Sequence, residues 1–387
     1  MKRALRKNEP EAPHWFDMLS ISLLLLASPT VAADDLTSLI EKSVEILLAR
    51  QESLGDEDVR EEWPYEGVYR EKGLIPPGYR VGGTSIAAWA LIESPQYGES
   101  EAVRKAVERA VDFVLRTLDE KPMDIGFSGG YDVRGWGHTY ALQLLLQLRK
   151  RDFVPEESSK LVDKRIKWLV KALIETEIKG TGGWNYARRG TRSSTSPFMT
   201  APTIIALWEA RRQGEKVPQR VLDSALDALE KCRFEEGVIA YNSDGGMPEG
   251  PGAIARTPIV EVVLYAADRS SLEEIESSVE AFFTHWNELE VRRRKTGTHV
   301  PPYGVAPYYF YYGHYYASVA IEMLEGGTRE EWRTKYIETL VSVREDSGGW
   351  NDRVFDRSEA FGTSMALLSI LEPNRPRPSA SKKRAKK

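Results

Sequence analysis

The sequence predicts an all-α protein, an (α/α)6 toroid in which apolar inner helices stand inside a ring of amphipathic outer ones. Three observations predict it. First, a polar helix start recurs at Gly83-Thr84-Ser85, Gly137-His138-Thr139, Met199-Thr200-Ala201, Arg256-Thr257-Pro258, Gly313-His314-Tyr315 and Gly362-Thr363-Ser364, the middle residues 54, 62, 57, 57 and 49 apart. A regular interval of this size marks an array of helical hairpins. Second, each start is preceded by a segment with one apolar stripe and followed by a segment that is apolar nearly all round. The first kind has a face in water; the second must be buried on every side. Third, an open stack needs polar caps at its ends. The last apolar segment, residues 365–371, has none, so the six pairs are expected to close into a ring.

The outer helices follow in order. The first repeats Leu36, Ile40, Val44 and Leu47; the second Val103, Val107, Ala110, Val114 and Leu118; the third Val162, Ile166, Leu169 and Leu173. A shorter fourth carries Leu222, Ala225, Leu226 and Leu229, the fifth Leu272, Ile275, Val279, Phe282, Trp286 and Leu289, and the sixth Trp332, Tyr336, Leu340 and Val343. The inner helices are residues 86–92, 140–148, 204–210, 259–267, 315–324 and 365–371. Thr257 before Pro258 suits an N-cap and first helical position. The turns between are Gly129-Gly130-Tyr131, Gly182-Gly183-Trp184-Asn185, Gly245-Gly246-Met247 and Gly348-Gly349-Trp350-Asn351. Trp63-Pro64-Tyr65 and Pro301-Pro302-Tyr303-Gly304 replace the double glycine in the first and fifth units. The repeats are expected at about 34–93, 100–150, 158–212, 218–268, 271–325 and 328–371, in one domain from 34 to 373.

The two ends differ from this body. Lys2, Arg3, Arg6 and Lys7, the apolar run 18–27 and Val31-Ala32-Ala33 read as an export leader over residues 1–33, cleaved or retained as a tether. The run falls short of the roughly 20 apolar residues of a membrane span, so no integral membrane domain is expected beyond the leader. Residues 374–387 read as a disordered basic tail. The whole chain has formal charge −5, and residues 34–371 carry −12. An acidic body argues against nucleic-acid binding. Cys232 is the sole cysteine. With five scattered histidines it makes no metal constellation, and no cofactor is implied.

Helix, Gly-Gly-Trp, polar loop, Gly-Thr-Ser, apolar helix: this order resembles the prenyltransferase and squalene-oxidase repeat proteins. It is clearest at Gly182-Gly183-Trp184-Asn185-Tyr186 with residues 200–207, and at 308–316 with 347–370. The resemblance, to exported bacterial repeat proteins of that family, covers about two thirds of the chain. It implies a terpenoid-cyclase-like toroid. The family's chemistry is not carried over. The Asp-x-Asp-Asp acid of squalene-hopene cyclases has no counterpart, since the one Asp-Asp pair is Asp34-Asp35. The Zn ligands of protein prenyltransferases and the macroglobulin thioester motif are missing too.

In a closed ring the inner-helix starts converge on one mouth, the default ligand site. The residues mapped there are Trp136, His138, Trp184, Asn185, Tyr308, Tyr311, Trp350 and Asp352 as ligand-binding candidates, the aromatics for stacking. Asp244, Arg256, His314 and Tyr315 are the weaker catalytic candidates, for proton transfer and charge neutralisation. A bland role competes at each: His314 and His138 share one station, which suits a common packing job. Arg188, Arg189 and Arg192 form a basic loop that could meet an acidic glycan or simply be solvated. The favoured expectation is an exported binding toroid with an aromatic-lined central cavity for a lipid, isoprenoid or glycan. The alternatives are a divergent isoprenoid cyclase or prenyltransferase-like enzyme, and a polysaccharide lyase or hydrolase by analogy of fold.

Overall fold

A computed structural model describes residues 33–53, 61–127, 133–154, 156–185, 194–234, 237–245 and 250–378. The chain divides into two compact units, Met1–Thr30 and Val31–Lys387, and all the described residues belong to the second. The expected leader up to residue 32, the tail beyond Pro378, Gly129-Gly130-Tyr131, Tyr186, Arg188, Arg189, Arg192 and Gly246-Met247 lie outside the described residues.

The described chain is helical throughout, with isolated β-bridges and no named strand. In chain order the helices are α1 (Ala33–Arg50), α2 (Pro77–Glu93), α3 (Gln96–Glu99), α4 (Glu101–Thr117), α5 (Arg134–Lys150), α6 (Glu156–Thr176), α7 (Pro197–Arg212) and α8 (Gln219–Lys231). Then come α9 (Gly250–Ala253), α10 (Thr257–Ala266), α11 (Leu272–Thr284), α12 (Trp286–Glu290), α13 (Tyr309–Met323), α14 (Gly326–Ser342) and α15 (Ser358–Leu371).

Which helices are inner follows from their composition. Every residue of α13 and α15 is buried, and α2, α5, α7 and α10 come close to that. These helices pack in chain order, α2 on α5, α5 on α7, α7 on α10, α10 on α13 and α13 on α15, and α15 returns to α2. The ring is therefore closed, and no apolar helix is left with an open side. The amphipathic helices stand outside: α4 lies on α2, α6 on α5 and α7, α8 on α7 and α10, α11 on α10 and α13, α14 on α13, and α1 on α15. Their apolar stripes account for the buried faces; in α4, Val103, Val107, Ala110 and Val114 are all inward. Among the described residues no helix is long and apolar enough to cross a membrane.

The corner between outer and inner helix is built three times from the same parts. Trp63, Trp184 and Trp350 are buried, and their indole N–H groups donate to the carbonyls of Leu47 at 2.7 Å, Leu173 at 2.8 Å and Leu340 at 2.8 Å. Those carbonyls lie in the last turns of α1, α6 and α14, where intrahelical donors run out. The backbone N–H of each Trp donates to the hydroxyl of the following helix's threonine, Thr84 at 2.9 Å, Thr200 at 2.9 Å and Thr363 at 3.1 Å. Glycine next to that threonine lets the corner approach: a Cβ on Gly83 would lie 2.5 Å from the Trp63 carbonyl, and one on Gly362 2.3 Å from that of Trp350. The recurring Gly-Thr is thus a packing device of the corner.

Removing one corner ring leaves a cavity and an unmet carbonyl. Trp350→Ala is expected to lower the unfolding free energy by about 3–5 kcal/mol, read from urea denaturation curves. A loss below about 1 kcal/mol would show that the corners do not hold the ring together.

Candidate functional site

The middle of the ring is filled. Tyr140 of α5 and Tyr316 of α13, on helices that face each other across the ring, are both buried and hydrogen-bond through their hydroxyls at 3.2 Å. Tyr312 packs on Tyr316 with ring centres 4.6 Å apart and donates to the Phe198 carbonyl of α7 at 3.1 Å. The expected aromatic-lined central cavity is closed at this level by the rings themselves. Partly exposed side chains are left at the two ends.

The end formed by the inner-helix starts carries two groups of rings. In one, Tyr65 lies 5.7 Å from Tyr79, 5.9 Å from Trp136 and 4.5 Å from Phe361 between ring centres. In the other, Phe198 lies 5.9 Å from Tyr308 and 6.3 Å from Tyr241, and Tyr241 lies 5.0 Å from His299. Tyr79, Trp136, Tyr241, His299 and Tyr308 keep part of their surface in solvent. Arg353 joins the groups: its guanidinium is 5.9 Å from the centre of Tyr65 and 5.8 Å from that of Tyr308.

Asn351 sets up this arrangement. Its Oδ1 accepts the Arg353 backbone N–H at 2.9 Å and its Nδ2 donates to the Phe355 carbonyl at 3.0 Å. The result is an Asx turn just past the last Trp corner, and it holds Asp352 and Arg353 in the protein. The Tyr65 hydroxyl donates to Asp352 Oδ2 at 2.9 Å and accepts from Arg353 Nε at 3.1 Å. Arg353 Nη1 donates to the Gly297 carbonyl at 2.9 Å. Asp352 is fully buried and its Oδ1 has no hydrogen-bond partner. Burial pushes the Asp352 carboxyl up to about 6, against the opposing pull of Arg353 and the Tyr65 hydrogen bond. His299 Nε2 and the Tyr308 hydroxyl are 3.2 Å apart. Burial, then the charges of Arg256 and Arg353, hold His299 below the ordinary imidazole range, so it is neutral at pH 7. A partly exposed imidazole hydrogen-bonded to a phenol is equipped to move a proton.

The structure brings Trp136, Tyr308 and Asp352 to this end, with Asn185 at its border. Asn185 is partly exposed, donates to the Ser194 carbonyl at 3.1 Å, and its own carbonyl would be 3.3 Å from a Cβ on Gly135 at the start of α5. Arg256 lies buried beneath the same rings, and the other candidates lie elsewhere, for reasons the single sequence does not contain. His138 faces the outer layer: it donates to the Met123 carbonyl at 2.9 Å and packs edge-on against Trp168 of α6. His314 does likewise; Trp286 donates to its Nε2 at 2.9 Å, so Nδ1 carries the proton and donates to the Phe310 carbonyl at 2.8 Å. Burial pushes both imidazoles down to about 4. Their shared station is a packing position between the layers.

Trp184 and Trp350 are corner rings. Tyr311 is wholly buried, its ring against the Gly362 position. Asp244 is exposed in a turn, its N–H bonded to Asn242 at 2.9 Å. Arg256 is buried and donates to the carbonyls of Ile239 and Ala240 at 2.7 and 2.9 Å, tying loops together beside Phe198. Tyr315 is at the opposite end, accepting from Arg375 at 2.8 Å. There a cleft of about 60 Å3 is lined by Trp89, Gln143, Glu209, Tyr315, Glu372 and Arg375, among others. Asp244, Arg256, His314 and Tyr315 are therefore spread over different parts of the ring. Sequence reasoning missed Tyr65, Tyr79, Tyr241, His299 and Arg353; Tyr65 and Arg353 each follow a corner Trp by two or three residues, a usable signal.

The class is an α/α toroid, and solved structures share it. Cellobiose 2-epimerase from Bacillus thermoamylovorans matches 88% of this chain and 98% of its own, with 12% identity and a TM-score of 0.56. An inactive variant of the alpha-1,6-mannanase of a Salegentibacter species, two adjacent aspartates changed to asparagine, was solved with alpha-1,6-mannotriose; it matches 88% of this chain and 99% of its own, at 10% identity and a TM-score of 0.55. A polysaccharide lyase matches 88% and 96%, at 11% and 0.51. At these identities the likeness is one of fold. No family model matches the chain, and no curated protein matches it. The squalene-cyclase and prenyltransferase resemblance thus rests on the corner motif, whose Trp residues are buried. Among the described residues no group of three or more His, Cys, Asp or Glu is placed to hold a metal ion.

The buried acid gives a pH signature. The Asp352 carboxyl has its folded value raised from 3.8 to about 6, so the native state binds this proton more tightly than the unfolded chain. Its contribution to stability is present below the lower value and is lost as pH rises through the upper one. Asp352→Asn is expected to remove that loss, narrowing the difference in unfolding free energy between about pH 4 and about pH 7. An unchanged difference would mean that Asp352 does not titrate as its burial requires.

Proposed function

We propose that this protein processes carbohydrate: a polysaccharide lyase or hydrolase that holds a glycan across the inner-helix-start end of the toroid. One observation carries the reading. Partly exposed rings, Trp136, Tyr79, Tyr241 and Tyr308, surround a buried Asp352–Tyr65–Arg353 network beside the His299–Tyr308 pair. Flat rings with polar edges around a few fixed polar groups make a sugar platform, since the apolar face of a pyranose stacks on a ring while its hydroxyls find hydrogen bonds. The oligosaccharide in the mannanase structure is a glycan on the same architecture, which supports the reading by analogy of fold.

The residues favour elimination over hydrolysis. Hydrolysis calls for two carboxyl groups about 5–10 Å apart; among the described residues Asp352 is the one carboxyl hydrogen-bonded within the network. Elimination calls for a group that takes the proton beside a carboxylate, a cation that neutralises that carboxylate, and a proton donor for the leaving oxygen. The phenol of Tyr308, its partner His299 and the guanidinium of Arg353 have those chemistries. The isoprenoid readings have less behind them: buried tyrosines fill the ring where a long hydrocarbon chain would lie. An export leader suits a protein whose polymer lies outside the cytoplasm.

The test is turnover on a panel of polysaccharides, following both new reducing ends and the ultraviolet absorbance of unsaturated products. Wild-type protein is expected to act on at least one polymer, and Tyr308→Phe to lower that rate by about 10²–10⁴-fold with the melting temperature unchanged. Activity equal to wild type in the variant would contradict the assigned chemistry; no turnover and no binding of any glycan would contradict the reading.

A further inference from the structure

The loop between α12 and α13 carries Arg292-Arg293-Arg294-Lys295, and the fold lays it along the mouth. The backbone of Lys295 pairs with that of Arg353, the Arg294 N–H donates to the Asp352 carbonyl at 2.9 Å, and Arg353 reaches the Gly297 carbonyl at 2.9 Å. Arg293 turns away and forms ion pairs with Glu345 and Glu290. Among the described residues Arg292, Arg294, Lys295 and Arg353 form no ion pair. Arg292 spends Nη2 on the carbonyls of Thr296 and Thr298, at 3.1 and 3.3 Å, and its buried Nε has no partner. Lys295 is exposed, and Arg292 and Arg294 are partly so.

Like charges are thereby gathered. Burial and the charge of Arg353 both depress Arg292, and Arg353 and Arg256 act together on His299. Asp352, the carboxyl within this network, is itself buried and bonded to Tyr65. The concentration of cations is the more unusual because the body of the chain carries −12. Elsewhere several arginines are matched with carboxylates: Arg333 with Glu322, Arg233 with Glu261, Arg149 with Glu215 and Asp163. A group of cations with no ion-paired carboxylate, sharing one buried acid at one end of an acidic protein, is an electrostatic attractor for an anion. Guanidinium groups meet carboxylates in a flat two-point geometry.

We propose that the mouth takes an acidic glycan bearing uronate carboxylates, with Arg292, Arg294 and Lys295 reading the acid groups while Trp136 and Tyr308 stack on the rings. This rests on the proposed glycan-processing function and names its substrate class. Arg292, Arg294 and Lys295, which reach the surface, supply the attraction and the register along the polymer; Arg353, buried between Tyr65 and Tyr308, adds its charge from beneath.

The experiment measures binding of the full chain to polygalacturonate, neutral mannan and dextran sulfate by affinity electrophoresis. Wild-type protein and the Arg292→Gln/Lys295→Gln double variant are compared, with Lys295→Gln alone as a variant at an exposed position. Melting curves establish that each is folded. The expected result is preferential retardation by polygalacturonate, weakened about tenfold in the double variant and less in the single one, and weakened again by added salt. Binding of mannan as tight as that of polygalacturonate, binding of dextran sulfate alone, or folded variants that bind polygalacturonate like wild type would each overturn this inference while leaving the glycan reading. Failure to bind any of the three would overturn both.

Discussion

The whole arrangement depends on one constraint: the helices with almost no polar face, six among the described residues, have to be covered on all sides. Outer helices cover each of them from without, and neighbours cover them laterally only if the last one packs against the first, as α15 does on α2. Inside, side chains must close the gap, and the Tyr140–Tyr316 pair bridges opposing helices through hydroxyl groups. Tyrosine suits that place because it fills volume like Phe while its hydroxyl satisfies a partner. The same filling divides the ring into two separate ends. Chemistry that needs access to solvent is confined to those ends, and the end where the helices begin has the wider set of partly exposed rings.

Much of the fold was legible in the sequence because its signals are local. Amphipathic and all-apolar segments alternate at a steady interval, and the Gly-Gly-Trp and Gly-Thr pieces mark where one gives way to the other. The structure adds what these pieces do: the Trp caps the outer helix, the Thr holds the Trp backbone, and the Gly removes a side chain that would collide. A motif that reads like an active-site fingerprint is thus a fold device. The two histidines at equivalent stations belong with it, since both face the outer layer and satisfy backbone carbonyls.

The candidate site was legible only in part, and the reason is distance along the chain. Tyr65 and Asp352 are hydrogen-bonded although 287 positions separate them. Their meeting follows from ring closure, which brings the first corner beside the last. Trp136, Tyr308 and Asp352 could be placed because they sit next to helix starts or corners whose location the repeat implies. His299 could not: it lies in the long connection after α12, where no repeat signal fixes the backbone. Tyr315 and Tyr308 belong to one aromatic run yet reach opposite ends of the toroid, because they stand about two helical turns apart.

That glycan is held where the inner helices begin is the central claim, and a crystal structure with a bound acidic oligosaccharide tests it most directly. The account predicts a sugar ring stacked on Trp136 or Tyr308 with a carboxylate facing Arg292 or Lys295. A sugar bound instead at the Trp89 and Arg375 end, or on the outer helices with the mouth empty, would contradict it.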